Sequence, residues 1–316
     1  MAQQTMNSGE IVLPSAPKKR ETLSGLRRKE ALAGYTFLVP NLIGFLLFSV
    51  FPILAAIYLA FTDWDLAGSP VFSGMDNIWK MGNDDLFWKS LFNTFYYALV
   101  AVPTGIVCAF FLALLVNRPM RGVFAFRLIY FLPHLTLSVA AAIIWAWIYH
   151  PEFGLINYLL STIGIQGPSW LFNSKWAMPA IIIMSNWKGI GYAMLIFLAG
   201  LQGVPAELYE AATMDGANGW RQLIHITIPM LSPTTFFVLT TSFIGAFQGF
   251  DAFYIMTQGG PSFSTTTLVL YIFNNGFSYF KMGYASAMAA VLFICIMTVT
   301  LVQWISAKTW VHGFED

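Results

Sequence analysis

Six separate apolar runs dominate this chain, at roughly residues 33–61, 90–116, 128–149, 177–202, 231–257 and 284–306. Each reaches the length of about 20 residues that a helix needs to cross the hydrocarbon core of a bilayer. That pattern leaves few folds open. In lipid every backbone N–H and C=O must be satisfied inside the structure, which helices do segment by segment. The weak two-residue alternation of a membrane barrel is absent. The expected fold class is therefore all-α and integral to a membrane, with six transmembrane helices. Composition agrees: 57% of the 316 residues are hydrophobic and only 10% are charged, where soluble domains carry about a quarter.

Loop charge sets the expected orientation, because Lys and Arg accumulate on the cytoplasmic side. With the N-terminus inside, the inner segments hold Lys18, Lys19, Arg20, Arg27, Arg28, Lys29, Arg118, Arg121, Arg127, Arg221 and Lys308. The outer loops hold only Lys80, Lys89, Lys175 and Lys281, and Lys188 falls inside a span. Both termini are thus expected in the cytoplasm. Residues 1–32 read as a basic tail, 33–306 as the six-helix domain and 307–316 as a second short tail. No small-residue cleavage site stands out near the first apolar run, so it reads as an uncleaved span and not a signal peptide. No internal repeat or separate soluble domain is visible.

Several function classes lack support. The formal net charge is +1, which suggests no nucleic-acid partner. Cys108 and Cys295 both lie in apolar runs, implying neither a disulfide nor a metal site. No GxxxxGK[ST] loop occurs, so ATP is not bound by that route. No Ser-His-Asp set, paired carboxylates or metal-ligand spacing stands out. The chain is not expected to be an enzyme, and no cofactor of its own is expected.

Between the fourth and fifth runs the sequence turns polar over residues 203–230, including "ELYEAATMDGANGWRQLIHITIP". Pro205 suits a first helical turn, and Glu207 then sits where the helix dipole favours negative charge. Asp215-Gly216 signals a turn. Asn218 can cap a second helix that ends before Pro229. The segment reads as helix, turn, helix at the cytoplasmic surface. The small Ala211 and Ala212 permit close approach of a partner, and Glu210 offers a charge-assisted contact. An amphipathic loop resting on lipid headgroups fits the same residues.

Here a resemblance adds what the residues leave open. The spacing of Glu210-Ala-Ala, Gly216, Ile226 and Pro229 resembles the cytoplasmic EAA signature of permease subunits of bacterial binding-protein-dependent ABC importers. "EAATMDGA" is similar to the sugar-importing, maltose-type branch. The similarity extends through "MDNIWKM" and "DDLFWKSLFNTFYYAL" (within 75–99), "FRLIYFLPHLTLSVAAAIIWAWIYHPEFGLIN" (126–157), "LIFLAGLQGVPAELYEAA" (195–212) and "FDAFYIMTQGGP" (250–261). Trp220-Arg221 is a departure at a tolerant position.

The resemblance implies a type I ABC importer permease fold in the bacterial cytoplasmic membrane. It implies that Glu207, Glu210, Ala211, Ala212, Asp215 and Gly216 form the coupling element for an ATPase subunit. ATP and Mg²⁺ would be bound by that partner, present in two copies. A second permease, making a heterodimer, and an extracytoplasmic solute-binding protein would complete the assembly within membrane lipid. The implied substrate is a di- or oligosaccharide, with a glycerol-phosphate-type solute as alternative. A stand-alone secondary transporter would show inverted repeats and interrupted half-helices. A membrane enzyme would show carboxylate- or His-rich interfacial motifs. Neither pattern is seen.

Polar groups inside the spans mark a substrate pathway. Lys188 lies about 16 Å into the fourth span and Asp251 about 9 Å from the outer end of the fifth. Ionisable groups at such depth are costly unless they face a cavity or a partner, so they are either functional or a structural ion pair. Asn186, Tyr192, Gln248 and Tyr254 join them as candidates. Amides and phenols suit sugar hydroxyls, and Gln248, Asp251 and Tyr254 would share one helical face. His134, after Pro133, reads as a packed residue beside a kink, and Pro103 as a second kink. "TQGGPSFSTTT" (257–267) reads as a flexible outer turn.

Overall fold

A computed structural model describes residues 23–118 and 121–312. Lys18, Lys19 and Arg20 of the basic tail and residues 313–316 of the second tail lie outside the described residues. The chain divides into two compact units, Met1–Ala55 and Ala56–Asp316. In the first, α1 (Leu23–Phe45) passes into a π-helical turn, Leu46–Val50, and on into the start of α2 (Phe51–Leu59). The continuous apolar helical stretch Glu30–Leu59 corresponds to the expected first span.

The second unit opens with a two-stranded antiparallel hairpin, Thr62–Asp63 with Val71–Phe72, and α3 (Asp76–Gly82). The buried Asn77 amide donates to the carbonyls of Ala60 and Thr62 at 3.0 and 2.8 Å, fastening hairpin to helix. Next comes α4 (Asp85–Val116), a 32-residue helix that continues through Pro103. It starts earlier than hydropathy indicates because Asp84 supplies a cap. Oδ1 of Asp84 accepts from the backbone N–H groups of Leu86 and Phe87, at 2.9 and 3.3 Å, using two donors that a helix start leaves unpaired.

The expected third span is broken. It forms α5 (Val123–Leu135) and α6 (Ser138–Ile148), which meet at 100°. The break falls at Thr136–Leu137, just beyond Pro133-His134. Thr136 leaves the helix with extended backbone, and both its N–H and its hydroxyl bond to the Pro133 carbonyl, closing the end of α5. After α7 (Leu155–Thr162), the fourth span is α8 (Ala177–Gln202), with the bounds that the apolar run indicates.

The polar cassette holds α9 (Ala206–Met214), α10 (Gly219–Gln222), a π-helical turn (Leu223–Thr227) and α11 (Ile228–Met230). The cassette's second helix therefore runs past Pro229. It bends by 62° at Leu231 into α12 (Ser232–Phe247). The expected fifth span to residue 257 is corrected accordingly. Helix α12 stops at Phe247, and a separate α13 (Asp251–Met256) follows a non-helical link containing Gly249. Glycine is costly in a helix interior, whereas hydropathy counts it as near neutral. Then come α14 (Leu268–Phe273), a π turn at Asn274–Ser278, and α15 (Met282–Trp310), the last span. Among the described residues, four helical stretches are each long and apolar enough to cross a membrane, and up to six if each bent pair is one span.

Small residues set the packing. Ala98, Ala109 and Ala113 on α4 are fully buried, as are Ala177 and Ala180 on α8. In lipid, where apolar burial drives association little, such close backbone approach is the main source of helix contact. One core cluster joins α4 and α8 to α12 through Ala109, Met194, Phe197, Leu231 and Val238. A second joins α4, α6, α8 and α13 through Ala101, Ala142, Ile181 and Phe253.

The segment 257–267 is not the loose turn that its composition indicates. Thr265, Thr266 and Thr267 are buried. Lys89 Nζ donates to the Ser262 carbonyl at 2.7 Å, and Asn93 Nδ2 donates to those of Phe263 and Thr266, both at 2.9 Å. The Leu268 N–H reaches Thr94 Oγ1 at 2.8 Å. Side chains some 170 residues earlier, on α4, thus hold the segment.

Candidate functional site

The cassette is a braced helical hairpin. Pro205 stands at the N-cap of α9, one position before the first turn, and Glu207 is the acidic residue inside that turn. Gly216 has φ of +77°, the left-handed region that costs other residues a backbone clash. Asn218 caps the second helix, its side chain accepting from the Arg221 N–H at 2.9 Å. Two ties cross the hairpin: Gln222 Nε2 donates to Thr213 Oγ1 at 2.9 Å, and the hydroxyls of Tyr209 and Thr227 share a hydrogen bond at 3.0 Å. With those inward groups paired, Glu207, Glu210, Ala211, Asp215 and Gly216 are exposed and Ala212 is half-buried. Glu210 and the 88% exposed Met214 border a hollow with Tyr209 and Thr213. The hairpin therefore presents a rigid face of small residues edged by carboxylates.

The span residues divide between two sides of α8. Asn186 faces α4, donating to Thr104 Oγ1 at 2.9 Å. It borders a cavity of about 250 Å³ between α4, α8 and α12, with Gly105, Ser185, Ser242 and Gly245 in the wall. Lys188 is two residues on, about 200° around the helix, and so cannot share that cavity. Tyr192 lies one turn beyond Lys188 on the same face. Its ring stacks on His134 of α5 at 4.8 Å between centroids, and His134 stacks in turn on Phe131 at 5.9 Å. Gly191 makes this possible. A Cβ there would overlap the Tyr130 carbonyl, so α5 packs directly onto the backbone of α8.

The expected grouping on the fifth span is corrected. Gln248 is the C-cap of α12, whereas Asp251 opens α13 and Tyr254 follows on it. The link at 248–250 puts Gln248 on a different helix from the other two, so no common face exists. Tyr254 stacks on Phe250 at 5.2 Å and meets Phe273 edge-on at 5.5 Å. Asp251 is exposed. No ion pair joins Lys188 to Asp251, which removes the structural-pair reading within the described residues. His134, read from sequence as a packing residue, is the group that joins Tyr192. Nothing in the local sequence signals this, since the contact depends on Gly191 bringing two helices together.

A further polar node sits at one end of the bundle. Oδ2 of Asp84 accepts from the hydroxyls of Tyr271 and Tyr284, each at 2.6 Å. Burial alone would raise the Asp84 carboxyl. Hydrogen bonds from Tyr271, Tyr284, Phe87 and Leu86 outweigh it and hold the group below the usual carboxylate value. The Tyr271 hydroxyl is pushed up to about 12 by burial and by the Asp84 hydrogen bond and charge.

Comparison with known proteins agrees with this architecture. Residues 81–311 match the family described as "Binding-protein-dependent transport system inner membrane component". A probable ABC transporter permease protein of Bacillus subtilis, YesP, is 41% identical over 290 residues, covering 90% of this chain and 93% of that protein. The sulfoquinovosyl glycerol transport system permease protein SmoG of Agrobacterium fabrum is 38% identical, covering 86% and 89%. Among solved structures, a bacterial ABC transporter involved in alginate import superposes with a TM-score of 0.78 at 24% identity, covering 90% of this chain and 97% of that one; it shares the fold. On the family match and on relatives of this similarity, the chain is a multi-pass membrane protein that belongs to the inner-membrane components of binding-protein-dependent ABC transport systems.

Proposed function

We propose that this chain is one permease subunit of an ABC sugar importer, pairing with a second permease to form the translocation pathway. The observation that carries the reading is the cassette: a braced hairpin between two spans whose unpaired face presents Glu210, Ala211 and Ala212. Such a face suits docking in a groove of a cytoplasmic ATPase subunit. Two copies of that subunit would bind ATP and Mg²⁺, which this chain has no motif to hold. Approach of the two ATPases would draw the cassettes together and rock the permeases between two orientations. The orientation with both termini inside rests on the loop charges.

Relatives are named for sugar cargo: arabinooligosaccharides at 36% identity, lactose at 35% and trehalose/maltose at 31%. A relative named for sn-glycerol-3-phosphate, at 32%, keeps that class as the second reading. A related solved transporter was captured with a pentasaccharide-bound periplasmic protein, which supports delivery by a separate binding protein. The cargo here is accordingly a di- or oligosaccharide.

The test is Glu210→Lys in the assembled importer. Recovery of the ATPase subunit from detergent extracts and uptake should both fall at least tenfold, with membrane insertion unchanged. Undiminished recovery with normal uptake would refute the docking role.

A further inference from the structure

We infer that the saccharide carried along this pathway bears an acidic group, and that Lys188 is the residue that receives it. The inference rests on the sugar-importer reading and concerns its substrate class.

Lys188 lies near the middle of α8, eleven residues from its start at Ala177. The residue is half-buried, and its ammonium has no hydrogen-bond or ion-pair partner among the described residues. A cation at that depth is costly unless it faces a water-filled path or a negative partner. The described residues around it supply no negative partner. Helices α5, α6 and α12 and the rest of α8 contain no Asp or Glu. Asp85 opens α4 at its far end, and Asp251 makes no ion pair. On the α5 side stands the His134 ring, stacked on Tyr192, which supplies no negative charge.

The neighbours suit a sugar. Tyr192 stands one helical turn from Lys188, stacked on His134 and 45% exposed. It pairs a ring face with a hydroxyl, the combination that contacts a pyranose. A Lys point charge takes carboxylate, sulfonate or phosphate alike, so the shared chemistry is an anionic saccharide. The patch is rigid, because Gly191 seats α5 against α8 beside it.

The test uses the complete importer, with its binding protein and ATPase, in proteoliposomes. Uptake is measured for digalacturonate, a sulfonated glycoside and glycerol 3-phosphate against a neutral hexose disaccharide. At least one acidic probe should be taken up in preference to the neutral one, and competition among the three identifies the acid. With that probe, Lys188→Gln should lower uptake at least tenfold and Lys188→Arg less than threefold. Recovery of the second permease should be unchanged in both. Preference for the neutral disaccharide overturns the inference and leaves the sugar reading intact. So does unchanged acidic uptake in Lys188→Gln. Loss of the second permease from Lys188→Gln also overturns it, by making Lys188 half of an inter-subunit ion pair. Uptake of glycerol 3-phosphate alone, or of no probe, overturns the sugar reading itself.

Discussion

The hydroxyl of Tyr284, on the last span, donates to Oδ2 of Asp84 at 2.6 Å, while Oδ1 of the same carboxylate caps the second span. One side chain thereby joins the starts of α4 and α15, and Tyr271 brings α14 to the same oxygen. Hydrogen bonds to a charged group contribute about 1.5–3 kcal/mol each. Tyr284→Phe should therefore lower stability in detergent by about that amount, and Asp84→Ala by more, because two phenols and two backbone donors lose their acceptor. Thermal unfolding followed by tryptophan fluorescence measures both. Non-additivity in the Asp84/Tyr284 double mutant would report their direct coupling.

The same node sets a pH dependence. The Asp84 value is lowered in the folded state, so its contribution is complete above the ordinary carboxylate value. It is lost as pH falls through the lower folded value. Tyr271 is raised to about 12, so its contribution is complete below the ordinary tyrosine value and lost as pH rises toward about 12. Unfolding temperatures should be flat in this respect from about pH 5 to 9 and fall on either side. Asp84→Asn should flatten the acid limb.

Gly191 carries the contact between α5 and α8. Gly191→Ala places a methyl group against the Tyr130 carbonyl, and such overpacking costs about 1–3 kcal/mol. The expected result is a lower unfolding temperature and a slower transport cycle, because the His134–Tyr192 stack must shift. Gly189, where an added Cβ would meet nothing within 4 Å, provides the control. Gly189→Ala should leave stability unchanged or slightly raised, since alanine favours helix.

Gly216 tests the cassette turn. A β-branched residue at φ of +77° costs about 1–2 kcal/mol or more. Gly216→Val should misalign the hairpin and reduce co-purification of the ATPase without affecting α8 or α12. Gly216→Asn should be milder, because asparagine tolerates this conformation. Limited proteolysis of the cassette distinguishes the two.

Asn93 anchors the 257–267 segment through two carbonyls. Asn93→Ala leaves the buried Thr266 carbonyl without that donor, at about 1–3 kcal/mol. Cleavage between residues 257 and 267 by added protease should accelerate, while the spans stay intact.

Much of the architecture was legible because lipid imposes a length rule. Apolar runs of about 20 residues must be helical, and α8 has the bounds that its run indicates. The cassette was legible for a different reason: Gly216 and Asn218 act through their own backbone, so turn and cap chemistry reads locally. The coupling role proposed for it came from resemblance, not from those rules.

Hydropathy could not show where spans break. The 100° turn after Pro133-His134 and the end of α12 at Phe247 depend on backbone bonds and neighbouring helices, and transfer energy is blind to both. It was equally blind to partners distant in the chain. The threonines of 265–267 look like a polar turn until Asn93 and Thr94 are set against them by the fold. Sequence alone thus determined membrane class, the approximate position of the apolar runs and the cassette's local form, since these follow from solvent and backbone constraints along the chain. Only the tertiary structure decided that Asn186 turns to Thr104 of α4, that Gln248 parts from Asp251, and that Tyr192 meets His134. Those relations arise from helix packing, from the break at 248–250 and from one close approach at Gly191.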